Sequence, residues 1–156
     1  MLQKKANATR ATRQKPREKV RILLVDDDER NLLALSEVLD DLAEVVCVTS
    51  GRDALRTLLK GDFAVILLDV FMPGMDGYET MSRIRANPAI AGIPLIAVTA
   101  KAMKGDRQKC LDAGASDYIS KPVDIDILLA LIRVWLGRTK TSVEPPRSKR
   151  ATARVA

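Results

Sequence analysis

The sequence predicts an α/β fold of five strand–helix units, (βα)5, doubly wound into a five-stranded parallel sheet with helices on both faces. Three observations carry that prediction. Five short runs rich in β-forming aliphatic residues are spaced along the chain, several without the alternation of a half-exposed strand. A segment with helical apolar spacing follows each run, and a chain that alternates in this way winds right-handed crossovers. Hydrophobic residues make up 47% of the 156 and aromatic ones only 3%, so aliphatic side chains must fill a single core.

The elements can be taken in order. Arg21 to Val25 is the first expected strand. Leu32, Leu35, Leu39 and Leu42, with Val38 beside them, mark one face of a helix from about Glu29 to Asp41. Glu44 to Val48 is the second strand, and Ser50 opens the helix after it. The third strand is expected over Ala64 to Leu68; Asp76, with Glu79 three residues on, then has the form of a capping box. Pro94 to Val98 is the fourth, and its helix should stop at Gly114. Asp117 to Ser120 is the fifth, before a last helix from Asp124 to Leu136 striped by Ile125, Leu128, Ile132 and Trp135.

Charge divides the chain into three parts. Residues 1–19 hold seven Lys/Arg and one Glu, and residues 137–156 hold six Lys/Arg and one Glu, so most of the basicity behind the net charge of +6 is terminal. Both ends read as disordered basic tails. The body at 20–136 keeps 13 basic against 18 acidic residues and is acidic.

Absences exclude several chemistries. With no histidine, the chain cannot build a Ser-His or Cys-His couple, a His-ligated zinc site or a phosphohistidine. Cys47 and Cys110 give neither a disulfide framework nor metal-ligand spacing, and read as core or surface residues of a reducing compartment. No apolar run is long enough to span a bilayer and the N-terminus lacks a signal-peptide core, so a soluble, cytoplasmic protein is expected.

Ligands of open α/β sheets bind beyond the carboxyl ends of the strands. Here those ends carry Asp26, Asp27 and Asp28 after the first strand, Asp69 after the third, Thr99 after the fourth and Lys121 after the fifth. Carboxylates gathered on one rim repel unless a cation intervenes, and oxygen ligands without His or Cys select a hard ion. Open water positions at a phosphoryl-handling site suit Mg²⁺, with Mn²⁺ as the alternative. The competing reading of the triplet is helix capping, a role expected of Asp28. Asp69, Thr99 and Lys121, each ending another strand, weigh against capping as the whole account.

Four motifs in order, ILLVDDD (22–28), ILLDVFMPGMDG (66–77), AVTA (97–100) and AGASDYISKP (113–122), make the body similar to the receiver domains of two-component response regulators. The resemblance covers roughly residues 20–136 and implies the flavodoxin-like strand order 2-1-3-4-5. It implies that Asp69 accepts a phosphoryl group from a phosphohistidine. Asp27, Asp69 and the backbone carbonyl of Phe71 match direct Mg²⁺ ligands, and Asp26 matches a carboxylate that reaches the ion through water. Thr99 and the amide of Ala100 match groups that hold phosphoryl oxygens, and Lys121 the ammonium that pairs with them. Tyr118 matches the family's aromatic switch partner of Thr99, although on the residues alone it reads equally as a sheet-edge aromatic. Phe71 and Lys101 border the route of attacking water in the family; a bulky ring and a cation orient water poorly, which implies a persistent acyl phosphate.

The implied role is a phosphoacceptor switch rather than an enzyme with an external turnover substrate; it would assist only its own phosphorylation and dephosphorylation. The implied partners are a histidine kinase or a histidine phosphotransfer protein and a downstream protein, with the chain a monomer or weak dimer. KAMKGDRQKC (101–110) and LIRVWL (131–136) further resemble receivers of hybrid histidine kinases, although a stand-alone regulator fits nearly as well. The polar segment after Trp135 is too poor in apolar residues for an effector domain, so relay or protein interaction is expected, without specific nucleic-acid binding or a membrane. An aspartate-nucleophile phosphatase would want Asp-x-Asp-x-Thr after the first strand, where this chain reads Asp26-Asp27-Asp28-Glu29-Arg30. The tails could still contact nucleic-acid phosphates non-specifically. A nucleotide-binding reading fails for want of glycine in the first loop.

Overall fold

The computed structural model describes residues 19–100 and 104–141. Strand and helix alternate five times: β1 (Arg21–Val25), α1 (Glu29–Leu39), β2 (Glu44–Val48), α2 (Gly51–Leu59), β3 (Val65–Asp69), α3 (Gly77–Ala86), β4 (Leu95–Thr99), α4 (Asp106–Ala113), β5 (Asp117–Ser120) and α5 (Ile125–Thr141). The strands form one sheet in the order β2-β1-β3-β4-β5, every pairing parallel. The order reverses between β1 and β3, which opens a crevice beyond their C-terminal ends.

Burial explains why the strand sequences lack alternation. β3 and β4 are buried throughout, because each face of the sheet is covered. On one face Leu23, Ile66, Leu68 and Leu95 pack with Leu58, Met81, Ile84 and Cys110 from α2, α3 and α4. On the other, Ile22, Leu24, Leu67 and Ile96 pack with Leu32 and Leu39 of α1 and Leu128 and Ile132 of α5. Each fully buried Leu or Ile contributes about 1.5–3 kcal/mol relative to exposure. The edge strand β2 is only partly covered, and its Cys47 is exposed.

Caps set the helix entries. The Asp28, Ser50 and Asp76 side chains accept from the amides of Arg30, Asp53 and Glu79. The capping pair Asp76/Glu79 is thus formed on one side, while the Glu79 carboxylate binds Arg83 at 2.8 Å. Gly114 ends α4 at φ 126°, a conformation that favours glycine.

Several boundaries differ from the sequence expectation. β3 and β4 each begin and end one residue later, because Asp69 pairs with Val98 and Thr99 with Ser120 inside the ladder. α1 closes at Leu39, two residues before Asp41. α5 continues past Leu136 to Thr141, so residues 137–141 are helical rather than tail. The Arg138 guanidinium stacks 4.5 Å from the Trp135 ring centroid, a contact that favours the extra turn. Of the tails expected over 1–19 and 137–156, residues 1–18 and 142–156 lie outside the described residues, as does Lys101.

Two features hold the sheet to its helices. Arg85 of α3 donates to the carbonyls of Ala91, Ile93 and Gly114 at 2.7–2.8 Å and to the Ser116 hydroxyl at 3.3 Å. Gly77 lets α3 start directly against the end of β3: a Cβ there would stand 2.5 Å from the Val70 Cα.

Candidate functional site

The ends of β1, β3, β4 and β5 meet on one rim. β1 delivers Asp26, whose amide donates to the Val48 carbonyl at 3.2 Å and whose side chain is buried. Its Oδ1 accepts from the Asp28 amide at 2.8 Å; its Oδ2 accepts from Asn31 Nδ2 at 3.2 Å and Lys121 Nζ at 3.4 Å. Asp27 is exposed beside it, and Asp28 turns away to cap α1. The triplet therefore splits, two carboxylates facing the site and one serving the helix.

β3 delivers Asp69, only 5% exposed, whose Oδ1 accepts from the Phe71 amide at 3.2 Å. Burial pushes its carboxyl up to about 6, aided by the charges of Asp26 and Asp27 and opposed by Lys121 and the Phe71 amide. Lys121 Nζ lies 3.6 Å from Asp69 Oδ2. The Lys121 amide donates to the Thr99 carbonyl at 2.8 Å, tying the β5 end to the β4 end, and the Lys121–Pro122 peptide is cis.

Thr99 is buried and Ala100 is exposed after it. In the β4–β5 register Ala97 stands opposite Tyr118 and Thr99 opposite Ser120, so Thr99 and Tyr118 share a sheet face. It is the face covered by α4, where Tyr118 is half-buried. Burial, followed by the charge of Asp106, pushes the Tyr118 phenol upward. Phe71 is 42% exposed at the lip, edge-on to Tyr78 at 6.5 Å between ring centroids. Lys109 covers the Tyr78 ring at 4.6 Å.

The structure thus brings Asp26, Asp27, Asp69 and Lys121 together, with Thr99 and Ala100 ending the strand between β3 and β5. One carboxylate oxygen from each of Asp26, Asp27 and Asp69 lies within 4.8 Å of the others. Three carboxylates against one ammonium leave net negative charge, and an all-oxygen donor set suits a hard divalent cation. Sequence reasoning passed over Asn31. Its signal was positional: five residues after Asp26, it falls in the first turn of α1 and can reach back to that carboxylate.

Comparison with known proteins agrees with this geometry. The model of the response regulator receiver domain matches residues 22–133. The chain is 36% identical over 135 residues to the sensor protein GacS of Pseudomonas syringae pv. syringae, covering 84% of this chain and 15% of that protein. It is 38% identical over 135 residues to the response regulator PleD of Caulobacter vibrioides, covering 86% and 30%. It therefore spans less than a third of either relative. Among solved structures, the receiver domain of a sensor histidine kinase from Pseudomonas aeruginosa PAO1, with a magnesium ion coordinated in its active-site cleft, is 36% identical. The TM-score is 0.71, over 76% of this chain and 98% of that one.

Proposed function

The chain belongs to the response regulator receiver domain family, and from that premise we propose that it is the phosphoacceptor of a two-component or phosphorelay circuit. Asp69 takes the phosphoryl group from a phosphohistidine on a partner, and the acylated chain presents a changed surface to a downstream protein. The observation that carries this reading is the position of Asp69: nearly enclosed at a strand end, between two further carboxylates and an ammonium 3.6 Å away.

In the proposed step an Asp69 carboxylate oxygen attacks phosphorus, an acyl phosphate bond forms, and the bond to the partner's imidazole nitrogen breaks with its electron pair left on that nitrogen. Such a transfer asks for positioning and charge neutralisation more than covalent help. Asp27, Asp69 and the Phe71 carbonyl would hold Mg²⁺ directly, and Asp26 through water. The ion supplies neutralisation of charge on the transferring group. Lys121 pairs with one phosphoryl oxygen, and the Thr99 hydroxyl and Ala100 amide hold others. Thr99 moving toward the phosphoryl group opens space for Tyr118 to turn inward, a population shift on the face of α4, β5 and α5.

Because the chain has no histidine, the donor must lie on a histidine kinase or phosphotransfer protein. The rim offers it apolar purchase: a groove lined by Ala34, Leu35, Val123 and Ile125 runs beside Asp26 and Lys121. No described helix is long and apolar enough to cross a membrane, and we place the role in the cytoplasm without turnover of an external substrate. Incubation with acetyl phosphate and Mg²⁺ should add one phosphate to the wild type and none to Asp69→Asn by intact mass. Equal incorporation in both would overturn the assignment.

A further inference from the structure

Asp26 is gripped by two different kinds of side chain. Its Oδ2 accepts from the neutral amide of Asn31 at 3.2 Å and from the Lys121 ammonium at 3.4 Å. The same ammonium lies 3.6 Å from Asp69. Asn31 is anchored independently of Lys121 and Asp69, through the Asp28 turn whose amide also bonds Asp26 Oδ1 at 2.8 Å. It is the third residue of α1, its backbone amide donates to the Asp28 carbonyl at 3.0 Å, and the Asp28 side chain caps that turn. An asparagine amide orients a carboxylate without cancelling its charge, whereas a lysine does both.

The distinction matters once the site works. Lys121 is the only cation shown within reach of both carboxylates among the described residues, and the phosphoryl group competes for it. When Lys121 turns to that group, Asp26 Oδ2 loses one donor and keeps the other. We propose that Asn31 is a positioning residue: its side-chain amide holds Asp26 in place beside Asp27 and Asp69 whether or not Lys121 is there, and so frees Lys121 for the phosphoryl group. This assignment rests on the phosphoacceptor reading. Outer donors that orient metal-site ligands in this way typically tune ion affinity.

The test is a calorimetric titration of the full chain with Mg²⁺ alone, for the wild type, Asn31→Ala and Asn31→Leu, each repeated in a Lys121→Met background. Both substitutions should weaken binding by about 10-fold, the low end for an outer donor, with thermal midpoints close to those of their parents. The loss should be larger with Lys121→Met, where Asn31 is the remaining donor to Asp26 Oδ2 and the Asp28 amide holds only Oδ1. An unchanged Kd, equal losses in the two backgrounds, or no Mg²⁺ binding by the wild type would each overturn the proposal; equal losses would mark Asn31 as merely structural. Phosphate incorporation by the same proteins is scored separately. Its failure in the wild type removes the acceptor reading, while the titration still decides whether Asn31 positions Asp26.

Discussion

Lys121 reaches Asp69 across an intervening strand: its Nζ, one residue beyond β5, lies 3.6 Å from Oδ2 of the last residue of β3, and β4 runs between. Lys121 is also one of the groups holding down an Asp69 carboxyl that burial and Asp26 push up to about 6. Lys121→Met should therefore raise the Asp69 midpoint further, read by carboxyl-carbon NMR titration of the metal-free protein. A midpoint that stays or falls would show that the ammonium does not act on Asp69 in solution.

The same shift makes stability depend on pH. A carboxyl whose folded value lies at about 6, above its ordinary 3.8, binds its proton more tightly when folded. That contribution is fully present below the ordinary value and is lost as pH rises through about 6. At neutral pH the charged Asp69 is then a liability, and Asp69→Asn should be more stable than the wild type by about 2 kcal/mol in denaturant unfolding without divalent ions. The advantage should shrink toward pH 5, and Mg²⁺ should stabilise the wild type more than the variant. Identical pH profiles for the two would contradict this.

Thr99 and Tyr118 lie on one sheet face, two residues apart in register. Thr99→Ala should still accept phosphate at Asp69, while the amide shifts of α4, β5 and α5 that accompany phosphorylation are lost or reduced several-fold. Unaltered shifts in the variant would remove Thr99 from the coupling.

Phe71 stands at the lip of the site with its ring edge against Tyr78. Replacing it with a small polar residue admits a water that can be oriented toward the phosphoryl group. Phe71→Asn should shorten the acyl phosphate lifetime several-fold, followed by loss of the added mass over time. A lifetime of only seconds in the wild type would show that the ring gives no such protection.

Gly77 is a packing constraint at the same place. A Cβ there would meet Val70 Cα at 2.5 Å and the Asp69 carbonyl oxygen at 2.8 Å, backbone that cannot swing aside. Gly77→Ala should cost about 1–3 kcal/mol of stability by denaturant unfolding and slow phosphorylation by displacing Asp69.

The parts of this fold that local patterning governs were legible before any coordinates. β1, β2 and β5 fall where their apolar runs fall, and Ser50, Asp76 and Gly114 mark helix ends because capping needs those residue types. The carboxylates, hydroxyl and ammonium of the rim were legible because strand ends converge in a parallel sheet. Tertiary features were not. Asp69 and Thr99 look like loop residues, yet both stay in the ladder because neighbouring strands continue past the apolar run. The apolar stripe places the end of the last helix at Leu136, yet α5 runs on to Thr141. Nothing local in the sequence marks Arg85, which spans sequence separations of up to 31 residues to reach its acceptors.

That arginine has a mechanical consequence. Its bonds to Ala91, Ile93 and Gly114 fasten the entry of β4 and the exit of α4 at the end of the sheet remote from Asp69. The other end of α4 begins at Gly105, φ 92°, with no side-chain cap. The one guanidinium of Arg85 joins both of those connections to a single helix, and losing it would orphan three carbonyls at once, each at a cost of about 1–3 kcal/mol where no other donor replaces it.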